Sequence, residues 1–305
     1  MKLFDLHCDT IGECYKKNKS LYDNDMHVSL KRAKTFYEYN QVFAIWIPDE
    51  LRGQEAVEYF DNVADLYYKN LDTYRDVISS YTDRKTTTIK SILAVEGGSA
   101  CGGTEEEIYH LYDRGVRLIT LTWNDNNEIA AGAFAHGGIT DFGKRFISVS
   151  QELGMILDVS HLNRDSFKEL LDIYSLPFIA SHSNADIVDN YYGHKRNLED
   201  WQIAAIRDRE GLIGLNFCSD FIDNSSHPGA ESLADQIRYL SSMGCDDVIA
   251  LGSDFDGCEM HEDFSGIEKM QPLYDKLLSL GISDALLYKV FYSNAKGFFD
   301  KYMKK

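Results

Sequence analysis

Five short segments of this 305-residue chain carry side chains that bind divalent metal ions. His7-Cys8-Asp9 sets an imidazole and a carboxylate two positions apart, and in an extended chain such residues point to the same side. Glu96 ends the run Ala94-Val95-Glu96, ahead of two glycines. His161 follows Leu157-Asp158-Val159-Ser160, and His182 follows Ile179-Ala180-Ser181. Asp254 stands in Gly252-Ser253-Asp254-Phe255-Asp256-Gly257. Imidazole with carboxylate is the donor set of Zn²⁺ and similar ions. Each segment alone has a plainer reading. An HxD pair is common, and a histidine at a strand end more often has a structural partner. Glu96 beside glycines could cap a helix, and Asp254 and Asp256 could be turn carboxylates. What favours a metal site is that all five lie at the ends of apolar runs. His27, His110, His194, His227 and His261 fall in helix or loop segments and are read as surface residues, while His136 in a glycine-rich loop is left open.

The runs that must position these residues recur along the whole chain. Eight are strand-like: Lys2–His7, Gln41–Ile47, Lys90–Glu96, Gly115–Leu121, Gly154–Ser160, Pro177–Ser181, Gly211–Phe217 and Asp247–Ser253. They are almost continuously apolar, as strands buried on both faces are. Between them lie helical patterns. The longest spans Glu55–Ser80, with Val57, Phe60, Val63, Ala64 and Tyr67 on one face. Thr140-Asp141 caps a helix that Gly154 closes, and Ser283-Asp284 opens a last helix running to Met303. Strand and helix in regular alternation imply a parallel sheet with right-handed crossovers, and eight units can close into a (β/α)8 TIM barrel. The alternative is an open doubly wound sheet, but no GxGxxG follows the first strand to favour a dinucleotide version. With only four prolines and no linker-like tract, residues 1–305 read as a single barrel domain. Barrel enzymes build their sites at the C-terminal ends of strands, where the five segments lie.

Composition narrows the partners. A formal charge of −18 argues against nucleic acid and anionic membranes, although acidic surfaces also serve solubility. No stretch reaches the ~20 apolar residues of a membrane span. Met1–His7 lacks the apolar region of a secretion signal, and six cysteines without CxxC spacing suit reduced thiols, so a cytoplasmic protein is expected.

Seven motifs resemble a known family: Asp5-Leu6-His7-Cys8-Asp9, Val95-Glu96-Gly97-Gly98, Leu118–Trp123, Leu153–His161, Ser181-His182-Ser183, Lys195-Arg196-Asn197 and Gly252–Gly257. Their order and spacing resemble the membrane (renal or microsomal) dipeptidase family of zinc metallopeptidases, and a soluble bacterial-type member is the better analogy. The resemblance implies two divalent ions, zinc, with a hydroxide bridging them. His7 and Asp9 would hold one ion, His161 and His182 the other, and Glu96 both. It implies that Asp254 is the general acid/base, that Arg196 binds the free C-terminal carboxylate of a small dipeptide, and that the chain forms a homodimer. One position departs: Trp123 stands where well-studied members carry a substrate-contacting histidine. An indole donates a hydrogen bond but shuttles no proton, so Trp123 is expected to wall the substrate pocket. Two other readings stay open. One is another binuclear hydrolase acting on a lactone, cyclic amide or phosphoester; the other is a non-catalytic metal-binding protein.

Overall fold

The structure, a computed structural model, describes residues 1–223 and 229–303. His227 lies outside the described residues. Among the described residues nine strands form: β1 (Lys2–Cys8), β2 (Glu38–Trp46), β3 (Ile78–Ser80), β4 (Ile89–Glu96), β5 (Leu118–Thr120), β6 (Ile156–Asp158), β7 (Ile179–Ala180), β8 (Leu212–Leu215) and β9 (Ile249–Leu251). Eight of them close a parallel (β/α)8 barrel, since β1 pairs both β2 and β9 while β2 pairs β4. The open sheet is therefore excluded.

The ninth, β3, is the unexpected element. It pairs with the first residues of β4 outside the ring, Ile78 opposite Ile89. It takes the end of the segment expected to be one long helix. That helix spans Gly53–Thr73, burying Ala56, Val57, Phe60, Val63, Ala64 and Tyr67. Past Tyr74, Val77-Ile78 are β-branched and prefer a strand when an edge is at hand.

The capping signals act locally. Thr140 accepts from Gly143 N–H, and Gly154 ends the helix Asp141–Leu153 at φ 71°. Ser283 accepts from Leu286 N–H at the start of the last helical run. That run is not uniform: a π-helical turn over Lys289–Ser293 joins Asp284–Tyr288 to Asn294–Tyr302.

Two apolar layers hold the barrel. Phe4, Leu6, Val42, Ala44, Ile92, Leu118 and Leu212 pack with Phe298 and Phe299 of the last helix. A larger layer fills the space between strands and outer helices. Apolar burial on both faces of each strand is what makes the parallel ring stable. It leaves the C-terminal mouth for polar groups. There Gly252 has no room for a side chain, because a Cβ would stand 1.7 Å from the carbonyl oxygen of Ser181.

Candidate metal centre

Each suspected ligand comes off a strand end. His7 lies in β1, where the pairing with β2 shifts register between Asp5 and Cys8, and Asp9 precedes the helix Thr10–Lys17. Glu96 is the last residue of β4. His161, His182 and Asp254 lie just past β6, β7 and β9. His161 (φ 65°) and Asp254 (φ 62°) adopt left-handed backbone that non-glycine residues avoid, and such strain gathers at functional sites.

The side chains converge on Glu96. Its Oε1 lies 2.9 Å from His161 Nε2 and 3.2 Å from His182 Nε2, while Oε2 lies 3.5 Å from His7 Nε2. His7 Nε2 is also 3.5 Å from Asp9 Oδ2 and 4.0 Å from Asp254 Oδ1. Three sets could each hold an ion: His7, Asp9 and Glu96; Glu96, His161 and His182; or His7, His182 and Asp254.

The surrounding hydrogen bonds test whether cations fit. Ser181 Oγ donates its one proton to Asp158 Oδ2, so it accepts from His182 Nδ1–H at 2.7 Å. His161 Nδ1 lies 2.9 Å from Asn124 Oδ1, an acceptor. Both rings are thereby assigned the tautomer whose Nε2 bears a lone pair. Yet the two Nε2 atoms face each other at 2.9 Å, and both face Glu96 Oε1. Three acceptors repel at that separation unless a cation joins them. His7 Nε2 likewise is buried without a hydrogen-bond partner. The donor set fits divalent ions, and Asp158, Ser181 and Asn124 would orient the imidazoles that hold them.

Electrostatics agree. Burial pushes His161 down to about 3, with Arg196 adding to the effect. Burial also depresses His7, but the Glu96 and Asp9 carboxylates outweigh it and hold that imidazole well above its ordinary value. Burial alone would raise Glu96, yet the His7 imidazole beside it keeps its carboxyl well below the usual range. Asp9 is pushed up to about 7, chiefly by burial.

The cluster floors a cavity of about 230 Å³. That is below the roughly 300–1,000 Å³ of drug-sized pockets, so it suits a small substrate. Trp123 lines it with its ring edge-on to Trp46 at 5.0 Å and 6.2 Å from the His161 ring. Gly257 is wedged in the floor, where a Cβ would stand 2.2 Å from Asp9 Oδ2 and 2.4 Å from Asp254 Oδ1. Asp254 Oδ2 accepts from Asn216 Nδ2 at 3.0 Å. Arg196, at the end of the helix Tyr191–Arg196, is only 4% exposed and donates to the carbonyl oxygen of His182 at 3.3 Å. Its Nε has no protein partner.

Other residues differ from their sequence reading. His27 is no plain surface residue: its N–H donates to Asp256 Oδ1 at 2.7 Å and its Nδ1 accepts from Asp256 N–H at 3.0 Å, pinning the loop after β9. His110 is half-buried against Asp61. His136 is exposed and lines a separate shallow pocket with Asn163 and Lys195. Asp158, Asn124 and Asn216 were not singled out in the sequence. Only Asp158 left a trace there, as a charge inside the apolar run Ile156–Val159.

Residues 1–300 match a sequence model of the membrane dipeptidase family, peptidase family M19. A protein of unassigned function from Klebsiella pneumoniae is 28% identical over 223 residues, 69% of this chain and 81% of that protein. An uncharacterized dipeptidase of Schizosaccharomyces pombe is 30% identical over 204 residues, 64% of this chain but 49% of the yeast protein. A Rhodobacter sphaeroides metallo peptidase, solved with a phosphinate mimic of the dipeptide L-Ala-D-Ala, superposes at a TM-score of 0.90 with 22% identity over 99% of both chains. The probable dipeptidase PvdM of Pseudomonas aeruginosa superposes at 0.80 with 17% identity, over 97% of this chain and 94% of its own. Matched over residues 1–300, the chain belongs to the membrane dipeptidase family, peptidase family M19, hydrolases that act on dipeptides.

Proposed function

We propose that this protein hydrolyses the peptide bond of dipeptides bearing a free C-terminal carboxylate, using two divalent ions, zinc by donor chemistry. The observation that carries the reading is the division of Glu96, one oxygen toward His7 and the other toward His161 and His182. His7 and Asp9 would hold one ion, His161 and His182 the other, and Glu96 both. Bound there, a pair of ions lowers the pKa of water toward neutrality and polarises a carbonyl.

The chain's own side chains do the rest. Arg196 is a buried guanidinium with a free N–H, suited to a carboxylate in bidentate geometry, and it fixes one end of a short substrate. Asp254 has one oxygen held by Asn216 and the other, Oδ1, beside His7. From there Oδ1 takes a proton from the attacking water and returns it to the leaving amine. Burial works against the Asp254 charge, but His7 and the Asn216 amide hold its carboxyl below the ordinary range, so it starts as the base. Trp123 and Trp46 wall the cavity against water.

The test pairs L-Ala-L-Ala and L-Ala-D-Ala with their C-terminal amides. Hydrolysis of the free acids alone is expected, with about two ions per chain by elemental analysis and loss of turnover on chelation. Metal-free protein that still cleaves dipeptides, or equal cleavage of acids and amides, would overturn it.

A further inference from the structure

The cavity has two chemically different ends. Phe221 and Cys218 line one end, following β8, with the Arg196 guanidinium 5.1 Å from the Phe221 ring. Trp46, Glu13 and Lys16 line the other, supplied by β2 and by the helix after β1. In the ring β2 stands across from β7, so Trp46, which ends β2, and Arg196, on the helix that follows β7, come from opposite sides of the mouth. A dipeptide whose carboxylate meets Arg196 and whose scissile bond lies over Glu96 must direct its first residue toward Lys16.

The charge at that rim is unusual for a molecule of net charge −18. Glu13 lies 2.7 Å from Lys17 Nζ and 3.2 Å from Lys16 Nζ. Two ammonium groups against one carboxylate leave one positive charge over. Burial works against the Glu13 charge, but the hydrogen bonds from Lys17 and Lys16 prevail and keep its carboxyl below the ordinary range, so the trio is charged at neutral pH. Lys16 holds its ammonium 4.3 Å over the Trp46 ring, which fixes it at the cavity wall. Of the other carboxylates that line the cavity, Asp9, Glu96 and Asp254 lie in the ligand cluster, and Asp256 accepts from Thr10 Oγ1 and His27 N–H.

We infer that the Lys16 rim selects dipeptides whose first residue is acidic, aspartyl or glutamyl. The flat sides of Trp46, Tyr59 and Trp123 take the methylenes while the ammonium meets the side-chain carboxylate. The inference rests on the dipeptidase reading and adds a substrate class to it.

The experiment compares kcat/KM for Glu-Ala, Asp-Ala, Leu-Ala and Lys-Ala in the zinc-loaded wild type and in Lys16→Glu. A lead of the acidic substrates over Leu-Ala is expected in the wild type, shrinking as salt rises. Reversing a unit charge ~4 Å from the substrate carboxylate should lower the Glu-Ala to Leu-Ala ratio by at least ~10-fold in Lys16→Glu. A ratio unchanged in Lys16→Glu, or a wild-type preference for Lys-Ala, overturns the inference while leaving the dipeptidase reading intact. Hydrolysis of none of the four overturns both.

Discussion

Glu96 faces both halves of the cluster, and the residues around it divide by what they can do with a proton. His161 and His182 have theirs committed outward, to Asn124 and to the Ser181–Asp158 pair. Asp254 is left as the group able to gain and lose one. If it acts as acid and base rather than as a ligand, Asp254→Asn keeps the ion content and lowers kcat by roughly 10²–10⁴. Elemental analysis beside steady-state rates checks this, and a loss of ions in step with rate would reassign Asp254 to the third ligand set. At this scale the sequence was readable where a residue type is rare in its setting. A histidine or carboxylate ending an apolar run stands out, and all five suspected ligands do meet. The supports did not stand out. Asn124 and Asn216 act through one hydrogen bond each, and an asparagine in a loop is ordinary until the fold brings its partner near.

The strands were legible as a set because two-sided burial writes itself as unbroken apolar runs, so the eight barrel strands fall inside or across the eight runs. β3 was not, since three residues joined to one neighbour carry too little pattern to show against a long helical stretch. The polar ties between strands were also hidden. Asp5 in β1 accepts from Ser253 N–H and Oγ and from Gln41 Nε2 in β2, each at 2.7 Å, and so stitches β1 to its neighbours on both sides. Burial outweighs these bonds and pushes Asp5 up to about 6 from 3.8. With the folded value above the unfolded one, its contribution to stability is whole below about pH 4 and is lost as pH rises through about 6. The loss corresponds to about 3 kcal/mol at 1.36 kcal/mol per pKa unit. Asp5→Asn should remove that slope. Chemical denaturation of both proteins between pH 4.5 and 7.5 would show the wild type losing ground relative to the variant. Parallel stability curves would count against a buried, titrating Asp5.

For the molecule as a whole, a net charge of −18 contrasts with the mouth of the barrel, where the Arg196 guanidinium lies buried and Lys16 stands at the rim beside Glu13. No helix among the described residues is long and apolar enough to cross a membrane. The ring also has a consequence in time. β1 sits between β2 and β9, and Asp5 finds its partner Ser253 at a separation of 248 positions. All five suspected ligands have been synthesised once His182 is made, yet the ring that aims them has no closing strand until Ile249–Leu251 follows. During synthesis the chain therefore carries all five suspected ligands with no closed ring to hold them in register, and cation uptake is expected only of the full-length chain. A fragment of residues 1–242, with every one of those ligands, should retain no ion in equilibrium dialysis where the full chain retains about two. Tight retention by the fragment would mean that the site assembles before its barrel does.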